Sequence, residues 1–212
     1  YSLSPYSPEE VVSRDFLLDS RPDAIINIVD ATNMERNLYL TSQILDMGIP
    51  TVIALNMMDT VRRDGTVIDT EKLSKALGCR VVGISALKGE GMDELLEAIS
   101  SAGETPKPVR LSDPLEKSIS EISGKLEGKV PDGHLRWYSV KALERDVLAI
   151  ERIGESWEEI SEIIDDLEKA EDDESDSLVA SERYSSISDV VVSSVKTKRA
   201  SGGYTASDRI DR

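Results

Sequence analysis

Residues 51–59 read Thr-Val-Ile-Ala-Leu-Asn-Met-Met-Asp, an apolar run that ends abruptly in an amide and a carboxylate. The residues before Asn56 favour a strand buried on both faces, because strands covered by helices on both sides lack alternation of polar and apolar residues. Two similar runs flank it in the chain, at residues 24–30 and 80–85. Helical periodicity separates the three runs, so the sequence predicts right-handed strand–helix–strand units and a parallel sheet.

Glycine and proline mark the ends of the helices that accompany these strands. Gly48, with Pro50 just beyond it, ends one predicted helix, and Gly78 ends another. Ser7 and Pro8 favour an N-cap and a first helical position at the start of the chain. The helices predicted in this part cover residues 8–18, 36–47, 69–77 and 93–100.

The pattern changes between Gly103 and Pro108, where glycine and proline mark a boundary. Only helical periodicity follows, and the predicted helices cover residues 114–126, 135–148, 157–170 and 177–195. The sequence therefore predicts an α/β fold with a parallel sheet, followed by a small all-α domain. We expect an α/β domain over residues 1–104, a helical domain over residues 105–195 and a basic linker over residues 196–212.

The composition of the 212 residues excludes several classes of protein. Lys and Arg number 25 against 41 Asp and Glu, and the net charge of −16 argues against general nucleic-acid binding and adsorption to anionic lipid. Much of this charge lies in residues 151–176, which we expect to form a solvated helix face or a flexible connector and not an acidic patch that binds iron or a partner. A single Cys79 and a single His134 supply neither a disulfide framework nor a zinc site of the usual spacing. No apolar run reaches the roughly 18 residues of a membrane-spanning helix, so we expect a soluble chain.

Polar and small residues stand where the predicted strands end, which is where open parallel sheets bind ligands. Asn56 and Asp59 have a spacing that lets an amide and a carboxylate converge on one planar ring. A carboxylate accepts from both N1–H and the exocyclic amine of guanine, whereas adenine presents a bare acceptor at N1. Small side chains at Ser85 and Ala86 favour a backbone N–H that approaches the guanine O6. The Asn-x-x-Asp spacing is also common in turns and helix caps, so by itself it leaves both interpretations open.

For four other residues the sequence favours a structural role or leaves a structural role open. We expect His134 at a helix start or on the surface and not as a metal ligand, because no Cys or His partner has metal-binding spacing. Trp137 and Trp157 are interpreted as core anchors of the helical domain. Asp30 either caps the loop after its strand or contacts the nucleotide.

Both strand-end motifs resemble the base-recognition motifs of small GTPases, Asn-Lys-x-Asp and Ser-Ala-x. Longer blocks resemble the cytosolic G domain of the ferrous-iron transport protein B family, at residues 1–7, 14–18, 26–40 and 54–59. Leu135-Arg136-Trp137 resembles part of that family's helical region, and residues 205–212 resemble the segment before its first transmembrane helix. The resemblance runs from end to end of the chain and implies the last strands of a P-loop GTPase-type sheet followed by a helical domain.

The resemblance implies a domain that binds GTP and GDP at the cytoplasmic face of the cytoplasmic membrane. It also implies that the helical domain couples this binding to a ferrous-iron permease in the same parent protein, with no nucleic-acid partner. Carried over by position, Asn56 and Asp59 read the guanine, and Met57 packs on the base plane where most GTPases have Lys. The base pocket is closed by Ser85, Ala86 and Leu87.

The family's phosphate-binding loop, Gly-x-x-x-x-Gly-Lys-Ser, does not occur in the sequence. In the family's pattern Tyr1 falls just after Asp-x-Pro-Gly-Thr, so the loop and the magnesium-linked residues are expected upstream, and residues 1–18 form the second switch region. We therefore expect no hydrolysis by this chain alone, Mg²⁺ only together with the upstream segment, and no catalytic or metal-binding residue here. The strand at residues 24–30 then keeps an uncovered apolar edge, which predicts marginal stability and self-association into homo-oligomers.

Two alternatives remain open from the sequence. In the first, the helical region, from about residue 111 to residue 195, is a non-enzymatic interaction module on a degenerate G domain, and it binds a partner or the transporter's membrane part. In the second, the chain belongs to a ribosome- or tRNA-associated GTPase. The acidic balance and the block at residues 27–40 count against the second alternative.

Overall fold

The computed structural model describes residues 8–20, 22–103 and 105–197. The helices of these residues are α1 (Pro8–Ser20), α2 (Met34–Asp46), α3 (Met58–Arg63), α4 (Thr70–Leu77), α5 (Met92–Ser100), α6 (Asp113–Leu126), α7 (Leu135–Leu143), α8 (Val147–Ile153), α9 (Trp157–Glu171) and α10 (Ser175–Ser194). The strands are β1 (Ile25–Asp30), β2 (Thr51–Asn56), β3 (Thr66–Ile68), β4 (Arg80–Gly83) and β5 (Val195–Thr197).

The three predicted strands form one parallel sheet in the order β1-β2-β4. Ile53 and Leu55 of the central strand pack in a cluster with residues of α2 and α4, while Val52 and Ala54 pack with α5 on the other face. Both faces of β2 are therefore buried, which explains why its sequence shows no alternation. The predicted α/β fold with a parallel sheet and a following helical region is confirmed.

One face of β1 carries exposed apolar side chains. Ile26 is 45% exposed and Ile28 is 67% exposed, whereas Val29 is fully buried. Within the described part of the chain, β1 pairs only with β2. This arrangement agrees with the expected uncovered apolar edge, and self-association remains a prediction.

The helices after residue 112 enclose an apolar core that includes Trp137, which is almost fully buried. Trp157 is half-buried and packs against the same core. In α9 the residues Ile160, Ile164 and Leu167 point inward, while most of the acidic residues are exposed. The interpretation of the acidic run as a solvated helix face is confirmed.

The last described elements pack on the sheet part and not only on the helical part. Helix α10 contacts α2 and α4, and Tyr184 stacks on Tyr39 with ring centroids 4.6 Å apart. Strand β5 then pairs antiparallel with β3, Thr66 opposite Thr197. The expectation that no strand occurs in the second part is therefore wrong, because three-residue strands carry too little pattern to detect. The predicted linker starts inside β5, and its remainder from residue 198 lies outside the described residues.

The predicted helix over residues 135–148 is two helices. Helix α7 ends at Leu143, and Arg145 adopts a left-handed conformation with φ of 50°. The Asp146 carboxylate then accepts from the Ala149 N–H at 3.0 Å and caps α8. The predicted N-cap Ser7 lies outside the described residues.

A buried ion-pair network joins α2 to the helical region. Asp46, at the end of α2, is 2% exposed and pairs with Arg183 of α10, which is 1% exposed. Arg136 of α7 donates to the other oxygen of Asp46 at 2.9 Å and also pairs with Glu116 of α6 at 2.7 Å. Arg183 also donates to the Ser42 hydroxyl at 3.2 Å. Two arginines from different helices therefore neutralise one buried carboxylate.

His134 directly precedes α7 and is buried, so the expected helix-start position is confirmed and the alternative of a surface position is wrong. Its Nδ1 lies 2.7 Å from the carbonyl oxygen of Met47, and because a carbonyl only accepts, Nδ1 donates. In residues 8–20, 22–103 and 105–197, no group of three or more His, Cys, Asp or Glu is arranged to hold a metal ion. No helix in these same ranges combines the length and apolar composition needed to cross a bilayer.

Candidate functional site

Two loops meet at the carboxyl end of the sheet. The first follows β2, where Met57 adopts a left-handed conformation with φ of 68° and α3 begins at the next residue. The second follows β4, and its Ile84 carbonyl accepts from the Met58 N–H at 3.1 Å. Because β2 and β4 are parallel neighbours, their ends bring these loops side by side.

Asn56 holds the strand ends together. Its side-chain oxygen accepts from the Ala86 N–H at 3.0 Å, and its backbone oxygen accepts from the Ala31 N–H at 3.0 Å. The Asn56 Nδ2 group makes no hydrogen bond with the described part of the protein, so it stays available to a ligand.

Two backbone N–H groups at the start of the second loop form hydrogen bonds within the protein. Ser85 N–H donates to the Glu90 carbonyl at 3.0 Å, and Ala86 N–H donates to Asn56. Both groups are engaged within the protein in this structure, and a backbone donor to the guanine O6 stays a prediction. A ligand oxygen that approaches the Ala86 N–H competes with the side-chain oxygen of Asn56.

Asp59 lies in the first turn of α3, and its side chain is 16% exposed. Burial raises the pKa of this carboxyl, but the Ser85 hydroxyl, the Lys88 ammonium and nearby backbone N–H groups outweigh burial and lower the pKa overall. The Ser85 hydroxyl is buried and has no hydrogen-bond partner of acceptable geometry among the described residues, so it acts as a nearby dipole. Asp59 is therefore an ionised acceptor at neutral pH.

The second loop is tightly closed. Ser85 and Glu90 exchange two backbone hydrogen bonds, at 3.0 and 3.2 Å. Gly91 has φ of 78°, and a Cβ there would lie 2.4 Å from the carbonyl oxygen of Gly83, so only glycine fits. The side chains of Arg62 and Glu90 form an ion pair that ties α3 to this loop.

Apolar side chains lie near the polar groups. Met57 is 40% exposed and Leu87 is 89% exposed, so both have surface to offer to a flat ring. The predicted set of six residues thus lies at the carboxyl ends of the neighbouring strands β2 and β4: Asn56, Met57, Asp59, Ser85, Ala86 and Leu87. Asp30 instead accepts from the Thr32 N–H at 2.8 Å and from the Thr32 hydroxyl at 2.7 Å, so in this structure it caps its own loop.

Sequence reasoning missed Lys88, whose Nζ lies 3.6 Å from Oδ2 of Asp59. An exposed lysine in a polar turn carries no periodic signal. The signal that indicates Lys88 is its position three residues after Ser85, because this loop was already expected to face Asp59.

Two family models match successive parts of this chain. A family model described as ferrous iron transport protein B matches residues 1–99, and one described as the FeoB cytosolic helical domain matches residues 112–196. The Fe(2+) transporter FeoB of Escherichia coli (strain K12) and that of Salmonella typhimurium are each 33% identical over 218 residues, or 99% of this chain. The chain spans 28% of the length of these relatives.

Solved structures agree with this chain in fold as well as in sequence. NFeoB from S. thermophilus bound to mGMPPNP is 40% identical with a TM-score of 0.87, and the match covers 96% of this chain and 78% of that one. NFeoB from the same organism bound to GDP·AlF4⁻ and K⁺ is 43% identical with a TM-score of 0.84, and the match covers 90% and 77%. The chain therefore belongs to the ferrous iron transport protein B family.

Proposed function

We propose that this chain supplies the guanine-recognition part of a GTPase and that Asn56 and Asp59 read the base. The observation that carries the proposal is the place of the Asp59 carboxylate, which lies in the first turn of α3 beside the loop of Ser85 and Ala86 and is 16% exposed. A carboxylate there accepts from N1–H and the exocyclic amine of guanine, and adenine leaves it unpaired. Met57 and Leu87 pack on the ring, and Ser85 and Ala86 form the floor of the pocket.

We further propose that the parent protein hydrolyses GTP to regulate or drive ferrous-iron uptake. Relatives that the chain matches are named Fe(2+) transporters, and its structural neighbours bind GDP·AlF4⁻ and mGMPPNP. The phosphates and Mg²⁺ are held by a loop sequence that does not occur in these 212 residues, so hydrolysis needs that loop in addition. In this arrangement the chain lies at the cytoplasmic face of the membrane and acts on the permease part of the parent protein.

The proposal assigns the base-reading loops to a G domain within residues 1–104 and the coupling role to helices of residues 105–195. Membership of the family removes support for a ribosome- or tRNA-associated GTPase. The contacts of α10 with α2 and α4 support coupling, because they join the helical region to the sheet part directly.

The test is guanine-nucleotide binding by the whole cytosolic part of the natural protein, measured with GDP by calorimetry. Asp59→Ala is expected to weaken GDP binding at least about 100-fold. The carboxylate accepts two hydrogen bonds from guanine, and each hydrogen bond to a charged group contributes about 1.5–3 kcal/mol. Asp64→Ala removes an exposed carboxylate in the segment just after α3 and is the matched control, with no expected change. Unchanged GDP affinity in Asp59→Ala would show that another residue reads the base.

A further inference from the structure

Lys88 stands beside the proposed base-reading carboxylate. Its ammonium lies 3.6 Å from Oδ2 of Asp59, and its side chain is 53% exposed against 16% for Asp59. Asp59 lies in the first turn of α3, which follows β2, and Lys88 lies in the loop after β4. This pair is therefore a charge contact across the two sides of the candidate pocket.

The distance between the Lys88 ammonium and Asp59 shows which kind of contact they make. At 3.6 Å the contact is an ion pair and is too long for a good hydrogen bond, which needs about 2.7–3.2 Å between N and O. The ammonium therefore compensates the charge of Asp59 without occupying its lone pairs. Lys88 therefore leaves the hydrogen-bonding positions of Oδ2 to other donors.

The backbone around Lys88 fixes its position. Lys88 N–H donates to the Ser85 carbonyl at 3.1 Å, inside the turn closed by the paired Ser85 and Glu90 backbones. The Arg62–Glu90 ion pair anchors the same turn to α3, the helix that carries Asp59. These contacts fix the backbone from which the Lys88 side chain reaches Asp59.

We infer that Lys88 is a positioning residue for guanine specificity: it keeps Asp59 charged and poised while a docking base strips water from the carboxylate. This inference rests on the proposed function. An anion that loses water needs a remaining counter-charge, and Lys88 is the cation placed to provide it without competing for the guanine donors.

The test is a double-mutant cycle on the whole cytosolic part of the natural protein, with GDP as the probe. Lys88→Gln is expected to lower the affinity for GDP about two- to fivefold, which is the range expected for loss of a partly exposed ion pair. Lys88→Arg keeps the charge and is expected to retain wild-type affinity within about twofold. Lys75→Gln, an exposed lysine of α4, is the matched control with no expected change.

The Asp59→Ala background separates positioning from general structural damage. There Lys88→Gln is expected to cause no further loss of GDP affinity, because the carboxylate through which it acts is gone. An equal loss in both backgrounds, or no loss in the wild-type background, overturns the inference. If Asp59→Ala itself leaves GDP affinity intact, the proposed function fails first and the role of Lys88 fails with it.

Discussion

Replacing Arg183 with Met tests how strongly the buried ion-pair network holds the two parts of the chain together. Arg183 lies in α10 and pairs with Asp46 of α2, and each side chain is 1% exposed. Methionine retains much of the apolar length of arginine, so the change removes charge and hydrogen bonds more than it removes packing. Asp46 keeps its second partner, Arg136, at 2.9 Å.

The magnitude follows from the burial and from the remaining partner. Removing one member of a buried ion pair costs about 3–5 kcal/mol, because it leaves an uncompensated charge. Since Arg136 still neutralises Asp46, we expect the lower end, about 3 kcal/mol in the free energy of unfolding. For a protein of this size that corresponds to a fall of about 6–12 °C in Tm.

The assay is urea unfolding followed by far-UV circular dichroism and by tryptophan fluorescence, at a protein concentration low enough to avoid association. Lys169→Met is the control, because Lys169 and Asp166 form an ion pair with side chains 75% and 82% exposed. That change is expected to cost less than about 0.5 kcal/mol. A loss for Arg183→Met no larger than the control would refute the reasoning, as would an undiminished loss in an Asp46→Asn background.

Two further predictions concern the surface and the pH response. Ile28→Thr on the 67% exposed site of β1 is expected to reduce self-association in light scattering while changing stability by less than about 0.5 kcal/mol; unchanged association would contradict this. Glu168 accepts from the Ser175 N–H at the start of α10, and its hydrogen bond with Arg145 lowers its pKa from 4.5 to about 2. Because the folded pKa lies below the unfolded pKa, this stabilisation is present above about pH 5 and is lost as pH falls toward 2. Glu168→Gln should therefore cost about 1 kcal/mol at pH 7 and progressively less in urea titrations toward pH 3, and an equal cost at both pH values would exclude the mechanism.

The sheet was predictable because its central strand is marked both by consecutive apolar residues and by the polar residue that ends it. The strand at residues 51–56 has the predicted bounds, since a run of apolar residues closed by Asn56 fits a strand buried on both faces. The break between α7 and α8 was not predictable from periodicity, because it depends on the left-handed backbone at Arg145. Apolar spacing continues on both sides of that break and conceals it.

The candidate site was likewise predictable only in part. Sequence spacing placed Asn56 and Asp59 after one strand and Ser85 after its neighbour, and the parallel pairing of β2 and β4 brings those positions together. Sequence spacing does not predict the hydrogen bonds between the two loops. The use of the Ala86 N–H by Asn56 and the approach of Lys88 to Asp59 depend on side-chain conformations that no residue pattern encodes.

The closure of the sheet part by α10 and β5 has a consequence for the order of folding. Arg183 and Asp46 are 137 positions apart in the sequence, and Ser188 and Glu35 are 153 apart. Contacts of such long range form late, because closing a long loop costs entropy before any contact repays it. During synthesis, the sheet strands emerge well before the helix and strand that complete their packing. The chain is therefore expected to reach its native state in one late step, and not as a finished first domain followed by a second.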